Sequence, residues 1–225
     1  MRQQVLLFFS LIFISCLKIE EPPQIEEEEI FWVYSYPIIS RPGASPVFSN
    51  FAISRNNAMN YDFSAWEQIP MHIEGFSLKT HFFQKLKVVK TTEIKTGEIT
   101  RKLIQVLEEE KDNFELIEGV WRVIRYKNED LPNSNFPNGQ VILIHSFPRV
   151  AFSSDGCNQI QLPIKKVAPD QIDSFGIALS TQIACSFQQI VPAYPGLTHK
   201  FKREGNILTF SNEEREEVAI WEKIN

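Results

Sequence analysis

Beyond residue 30 the apolar residues recur mostly at every second position, the spacing of a strand with one buried face. The runs FWVYSY and VFSNFAIS are short, aromatic and β-branched, and SRPGASP between them carries two prolines and a glycine, a turn signal. In FFQKLKVV, Phe82, Leu86 and Val88 share one face, and Lys85 and Lys87 share the other. The pair Thr96-Gly97 turns the chain into EITRKLIQVLEE, where Ile99, Leu103 and Leu107 have the same parity. Residues 31–112 are therefore predicted as a small antiparallel β domain without a helix.

A second block, residues 115–225, follows NFELIEG, which is expected to be a short linker. GVWRVIRY opens this block as a strand, LPNSNFPNG is a loop by composition, and QVILIHSF is a continuous apolar run expected to be buried on both faces. RVAF leads into the turn SSDGCN, and Ile160, Leu162 and Ile164 then alternate around Pro163, a residue suited to an edge or a bulge. SFQQIVPAYPGL has helical spacing, but Pro192 and Pro195 keep any helix short. A hairpin turning at Glu204-Gly205-Asn206 and a last strand, EEVAIWEKI, close the chain. The fold class is mainly β: two small antiparallel β domains with at most one short helix.

Composition adds a location. The 225 residues carry a net charge of −5, so no basic face is available for a phosphate backbone and no nucleic-acid partner is expected. Residues 1–16 begin with a positive charge and continue in VLLFFSLIFIS, eleven uncharged residues. A membrane-spanning helix needs roughly 20, so this is the apolar region of a signal peptide. Phe13-Ile14-Ser15-Cys16 resembles a bacterial lipobox, which implies a lipid on Cys16 as the membrane attachment. Phe13 stands where Leu is usual, and Ile14 is bulkier than usual. Residues 17–30 hold six glutamates and two prolines and are expected to be an extended acidic tether reaching about 40 Å. Leu17 is not the Asp of inner-membrane retention, so an outer-membrane lipoprotein is expected, facing the periplasm or the surface.

Candidate chemistry is sparse. His72, His81, His145 and His199 are scattered, and no zinc or calcium ligand spacing occurs, so neither a metal nor a cofactor is expected. A catalytic Cys157 would need His145 or His199 as its base, with Asp155 nearby, and nothing in the spacing supports this. The nine glycines form no phosphate-cradling loop.

Two resemblances extend the reading. Trp66, Ile73-Glu74-Gly75-Phe76 and the strand from Phe82 to Val89 resemble a small domain of unknown function found in exported bacterial proteins, which implies architecture only. The second block resembles the META-domain (HslJ-like) family, associated with heat shock and the cell envelope. The residues that carry this are Trp121 in the opening strand, Asp155-Gly156-Cys157-Asn158, Thr181-Gln182-Ile183-Ala184-Cys185, Gly205 to Phe210, and Ile220-Trp221. Ile183 stands at the family's Met position, and QIQL after Asn158 replaces a Gly/Ser-rich turn. The resemblance implies a compact β module and no known catalysis.

With Cys16 lipidated, an even pair of cysteines is left in an oxidising compartment, so Cys157 and Cys185 are expected to form a disulfide. The alternative is two buried thiols acting as small apolar residues. Closing this 28-residue loop stabilises a fold by roughly 3–4 kcal/mol. Asn158 is expected to hydrogen-bond its own turn.

The leading functional expectation is a non-catalytic envelope lipoprotein whose partner is an unidentified protein or envelope component. One alternative is an envelope hydrolase using Cys157 or carboxylates in a cleft. Another is a small-ligand binder with Trp66, Phe76 or Phe136 lining its pocket.

Overall fold

The computed structural model describes residues 23–39, 49–132, 139–147, 149–154, 158–174, 179–181, 198–212 and 214–224. The protein is mainly β. A first sheet contains β1 (Gln24–Val33), β2 (Ile38–Ile39), β3 (Ser49–Ser54), β4 (Glu67–Pro70), β5 (Phe82–Glu93) and β6 (Ile99–Lys111). All its pairings are antiparallel, in the order β4-β3-β1-β5-β6, and β2 continues β1 along the same side of β3.

The second sheet contains β7 (Gly119–Tyr126), β8 (Glu129–Asp130), β9 (Gln140–His145), β10 (Val150–Ser154), β11 (Gln159–Val167), β12 (Gln171–Ser174), β13 (Leu179–Ser180), β14 (Thr198–Glu204), β15 (Ile207–Ser211) and β16 (Glu217–Ile224). It is a closed meander barrel. Its path runs β7-β9-β10-β11-β12-β14-β15-β16 and returns from β16 to β7, with β8 and β13 as short side strands. Closure removes the exposed edges that an open sheet of this size would present.

Inward residues alternate along every barrel wall and fill the interior. Trp121, Ile142, Leu208, Phe210 and Trp221 are buried there, and the rings of Phe210 and Trp221 lie 4.4 Å apart. The run QVILIH was expected to be buried on both faces. Instead Ile142 and Ile144 point inward while Val141 is 48% exposed, as a barrel wall requires. Pro163 fits its place for a definite reason. Ile164 donates its N–H to the Arg149 carbonyl across β10, so the N–H that Pro163 lacks would point the other way. On that side β11 changes partner, from β13 at Gln161 to β12 at Ile164, and a bulge follows.

Three expectations about the first block and its exit are corrected. First, the acidic stretch is not spacer throughout, because β1 begins at Gln24 inside it. Glutamates are poor strand formers, but here Glu27, Glu28 and Glu29 find cations on nearby strands or just beyond them. Lys90 Nζ lies 2.5 Å from Glu27, Lys87 Nζ 2.9 Å from Glu28, and Arg101 Nε and Arg55 Nη1 each 2.9 Å from Glu29. Opposite charges facing across strands convert a repulsive run into a paired one.

Second, the simple parity of β6 fails. Two register shifts against β5 leave Ile104 and Leu107 as the extra residues of two bulges. Leu103 and Val106 therefore turn toward the core of Phe31, Val33, Leu86 and Val88, while Ile104 is 47% exposed. The opposite face of the sheet is not solvent either. Phe83 and Lys85 of β5 sit there with Trp32, Tyr34 and Trp66, and the Lys85 ammonium reaches Glu108 at 2.7 Å.

Third, residues 113–119 are not a loose linker. Phe114–Leu116 form a 3-10 turn, and Phe114 and Ile117 are fully buried in the barrel core. Arg203 Nη1 donates to the carbonyls of Glu115 and Leu116, and Trp121 Nε1 donates to that of Ile117. The segment plugs one end of the barrel.

Two predictions follow from this packing. Val106→Ala lowers the unfolding free energy by about 1 kcal/mol, whereas Leu107→Ala, which simple alternation would make the costlier change, alters it by less than about 0.5 kcal/mol; urea titrations of the two variants check the register. The second concerns acid. Burial raises the Glu29 carboxyl pKa, but Arg101 and Arg55 lower it further, so it lies below its ordinary 4.5. A folded pKa depressed in this way stabilises the protein above the unfolded value, and that stabilisation is lost as pH falls. The advantage of wild type over Glu29→Gln is expected to be full at neutral pH and to vanish in acid, measured by thermal melts across that range.

Candidate binding cleft between the two sheets

Asp112 follows the last residue of β6, and Arg149 precedes β10, so each stands where its sheet ends. They meet at 2.8 Å, Arg149 Nη1 to Asp112 Oδ2, and both side chains are 1% exposed. The rest of the Asp112 carboxylate is also occupied. Ser35 Oγ donates to Oδ2, and the Phe114 N–H donates to Oδ1. The guanidinium lies on aromatic faces from both sheets, 4.3 Å from the Phe114 ring centre and 4.9 Å from that of Phe63. Tyr34 completes the junction: its hydroxyl donates to the Ser146 carbonyl, and its ring lies 5.6 Å from that of Phe147.

Electrostatics hold Arg149 charged. Burial works against the cation, but the neighbouring Tyr34 hydroxyl and the Asp112 carboxylate outweigh it, and its pKa is raised. Burial raises the Tyr34 phenol as well, so it stays neutral and keeps its proton. A second crossing lies beside the first. Lys166 of β11 reaches Glu110 of β6 at 3.3 Å and covers the Tyr61 ring, while the Tyr61 hydroxyl donates to the same Glu110 oxygen.

Above this junction is a cleft of about 370 Å³. Phe63 lines it from the first sheet, and Phe147, Pro163 and Ile164 line it from the barrel. Arg149 is the charged group buried in its wall, and Asp62 and Ser64 stand at its rim, with Ser64 donating to Asp62. Arg149 Nε and Nη2 are buried and have no hydrogen-bond partner among the described residues. An unsatisfied buried donor costs about 1–3 kcal/mol, so two on one side chain mark a place where something is missing or where function is stored.

The residues singled out from sequence lie elsewhere. Cys16, Asp155, Gly156, Cys157, Ala184, Cys185 and Phe136 fall outside the described residues. Trp121 is a core residue of the barrel. Asn158 and Thr181 are brought together: Thr181 Oγ1 donates to Asn158 Oδ1 at 3.2 Å and accepts from the Gln159 N–H at 3.0 Å. The Asn158 side chain thus reaches across to another segment. Trp66 and Phe76 are core residues of opposite faces of the first sheet, although Trp66 packs directly behind Phe63 of the cleft. His145, one of the two bases considered for Cys157, is exposed on the barrel wall, and His81 is hydrogen-bonded to Tyr36.

Sequence reasoning missed Asp112 and Arg149. The only mark available was a charged residue abutting an apolar run, RVAF, and that pattern also fits a surface arginine. Compared with models of known families, with curated proteins and with solved structures, the chain matches none.

Removing one partner of a buried pair strands the other. Asp112→Asn is expected to cost about 3–5 kcal/mol, whereas the double change Asp112→Leu, Arg149→Met costs less than either single change. Chemical denaturation of Asp112→Asn, of each single change Asp112→Leu and Arg149→Met, and of the double variant gives the comparison.

Proposed function

We propose that the protein is a non-catalytic binding module of the bacterial cell envelope, held at the outer membrane by a lipid on Cys16. The observation that carries the binding reading is the cleft where the two sheets meet, with a buried guanidinium in its wall. Such a group is suited to holding a ligand and poorly suited to turning one over. Arginine does not give up its proton at working pH and is no nucleophile, and Asp112 already pins this one in place.

The membrane reading rests on the N-terminal sequence and gains a distance. Because Pro23 is already bound, its carbonyl accepting from the Ile94 N–H, only residues 17–22 separate it from Cys16. At ~3.1 Å per residue they span about 20 Å, half the reach expected of the longer tether. The module then works close to the bilayer surface. Its partner is an envelope component, and no cofactor takes part.

We assign the barrel to the META-type modules as a proposal. Support comes from Trp121 and Trp221 on adjacent strands of the core, and from the Asn158–Thr181 hydrogen bond, which sets the two cysteine-bearing motifs side by side. Cys157 adjoins Asn158 in the sequence and Cys185 lies four residues beyond Thr181, and the disulfide between them is part of this proposal.

Cys16→Ala is expected to move the protein from the membrane pellet to the soluble fraction, and to remove the acyl mass from the mature chain. Persistence in the pellet would contradict the anchor. Thiol titration of the denatured, unreduced mature protein is expected to find no free cysteine; two free thiols would remove the disulfide.

A further inference from the structure

We propose that the cleft between the sheets is a binding site for an apolar monocarboxylic acid, whose carboxylate seats on the Nε–Nη2 edge of Arg149. This names the ligand class of the binding module proposed above and rests on that reading.

A guanidinium offers its donors along separate edges. In Arg149 the Nη1 donor is used by Asp112. The Nε–H and one Nη2–H point the same way from a single edge, and these two atoms are the ones left without a partner among the described residues. Two parallel N–H groups match the two oxygens of a carboxylate, whereas a lone carbonyl satisfies one of them at a time. Asp112 on one side and the rings of Phe63 and Phe114 on its faces already hold the fork in place, but Nε and Nη2 are closed to solvent, so the carboxylate reaches them by displacing side chains packed over that edge.

The walls decide what the carboxylate is attached to. Phe63, Phe147, Pro163 and Ile164 are apolar, so a strongly hydrated dianion such as phosphate would lose its water without replacement. At the ~30 Å³ that a water occupies in the liquid, 370 Å³ holds about a dozen non-hydrogen atoms. That is an eight- to ten-carbon acid or an aromatic acid of similar bulk. Asp62 at the rim repels a second carboxylate at the far end, which favours a monoacid over a diacid.

The test uses the full mature chain with octanoate as probe and 1-octanol as its uncharged counterpart. Calorimetry is expected to show one octanoate per chain, with octanol bound at least about tenfold more weakly. The Arg149 Nε–H resonance is expected to shift on adding octanoate and to stay in place with octanol. Replacing Arg149 strands Asp112 and risks the fold, so the blocking variant is Ser64→Trp. This fills the mouth from an exposed position and leaves the ion pair intact. It is expected to weaken octanoate at least about tenfold at an unchanged melting temperature.

No saturable octanoate binding, equal affinity for octanol, or full binding by Ser64→Trp each overturns the proposal. Incubation with 4-nitrophenyl octanoate separates it from the broader reading. Turnover of the ester by wild type would overturn the non-catalytic module while leaving a carboxylate site in place. Absence of octanoate binding with Cys16-dependent membrane attachment intact would do the reverse.

Discussion

The contact on which the rest depends is the ion pair between Asp112 and Arg149. Each residue sits at the end of a strand in a different sheet, and neither has water to fall back on. Burying two charges is costly, and the cost is offset here only because the carboxylate is also hydrogen-bonded by Ser35 and by the Phe114 backbone. Those donors fix the position of β6's exit, the 3-10 turn after it, and the start of β10 relative to one another. Tyr34 and Phe147 pack around the pair, and the cleft lies where the two sheets meet beside it. A polar contact thus does what an apolar seam would do in most two-layer proteins, and it specifies orientation as well as adhesion.

The same economy governs β1. A run of four glutamates, Glu26 to Glu29, has no intrinsic reason to be a strand, and read alone it looks like solvated spacer. It is ordered because β5, β6 and the residue after β3 present lysines and arginines in register with it. The complement is visible in the sequence, in the lysines of KLKVVK and the arginine of ITRK, but only if the three strands are already known to be neighbours. Charge pairing between strands is a long-range property, and a local window sees only the repulsive half of it.

Period-two alternation made the strands of both sheets legible, since a half-buried strand writes that period directly into its residues. The turns at Thr96-Gly97 and Glu204-Gly205-Asn206 were readable for a similar reason: glycine at positive φ marks each of them. What alternation could not show is where it breaks. The two bulges of β6 exchange the roles of Val106 and Leu107 relative to a simple count, and nothing in ITRKLIQVLEE marks the inserted residues. Barrel closure was equally hidden, because it rests on β16 returning to β7 across nearly the whole block. Of the candidate site almost nothing was legible. Arg149 and Asp112 are 37 residues apart, both are of types that usually face solvent, and only the fold brings them together. The cysteine and tryptophan motifs drew the eye because they are distinctive, and the tryptophans proved to be core.

If the buried pair makes one body of two sheets, the sheets should unfold together. Native-state hydrogen exchange compares them directly, following slow amides of β5 in the first sheet and of β7 and β16 in the barrel. The account predicts that the most protected amides of both sheets exchange with the same free energy and the same dependence on denaturant. Two separate global values, with the first sheet opening while the barrel stays closed, would contradict it.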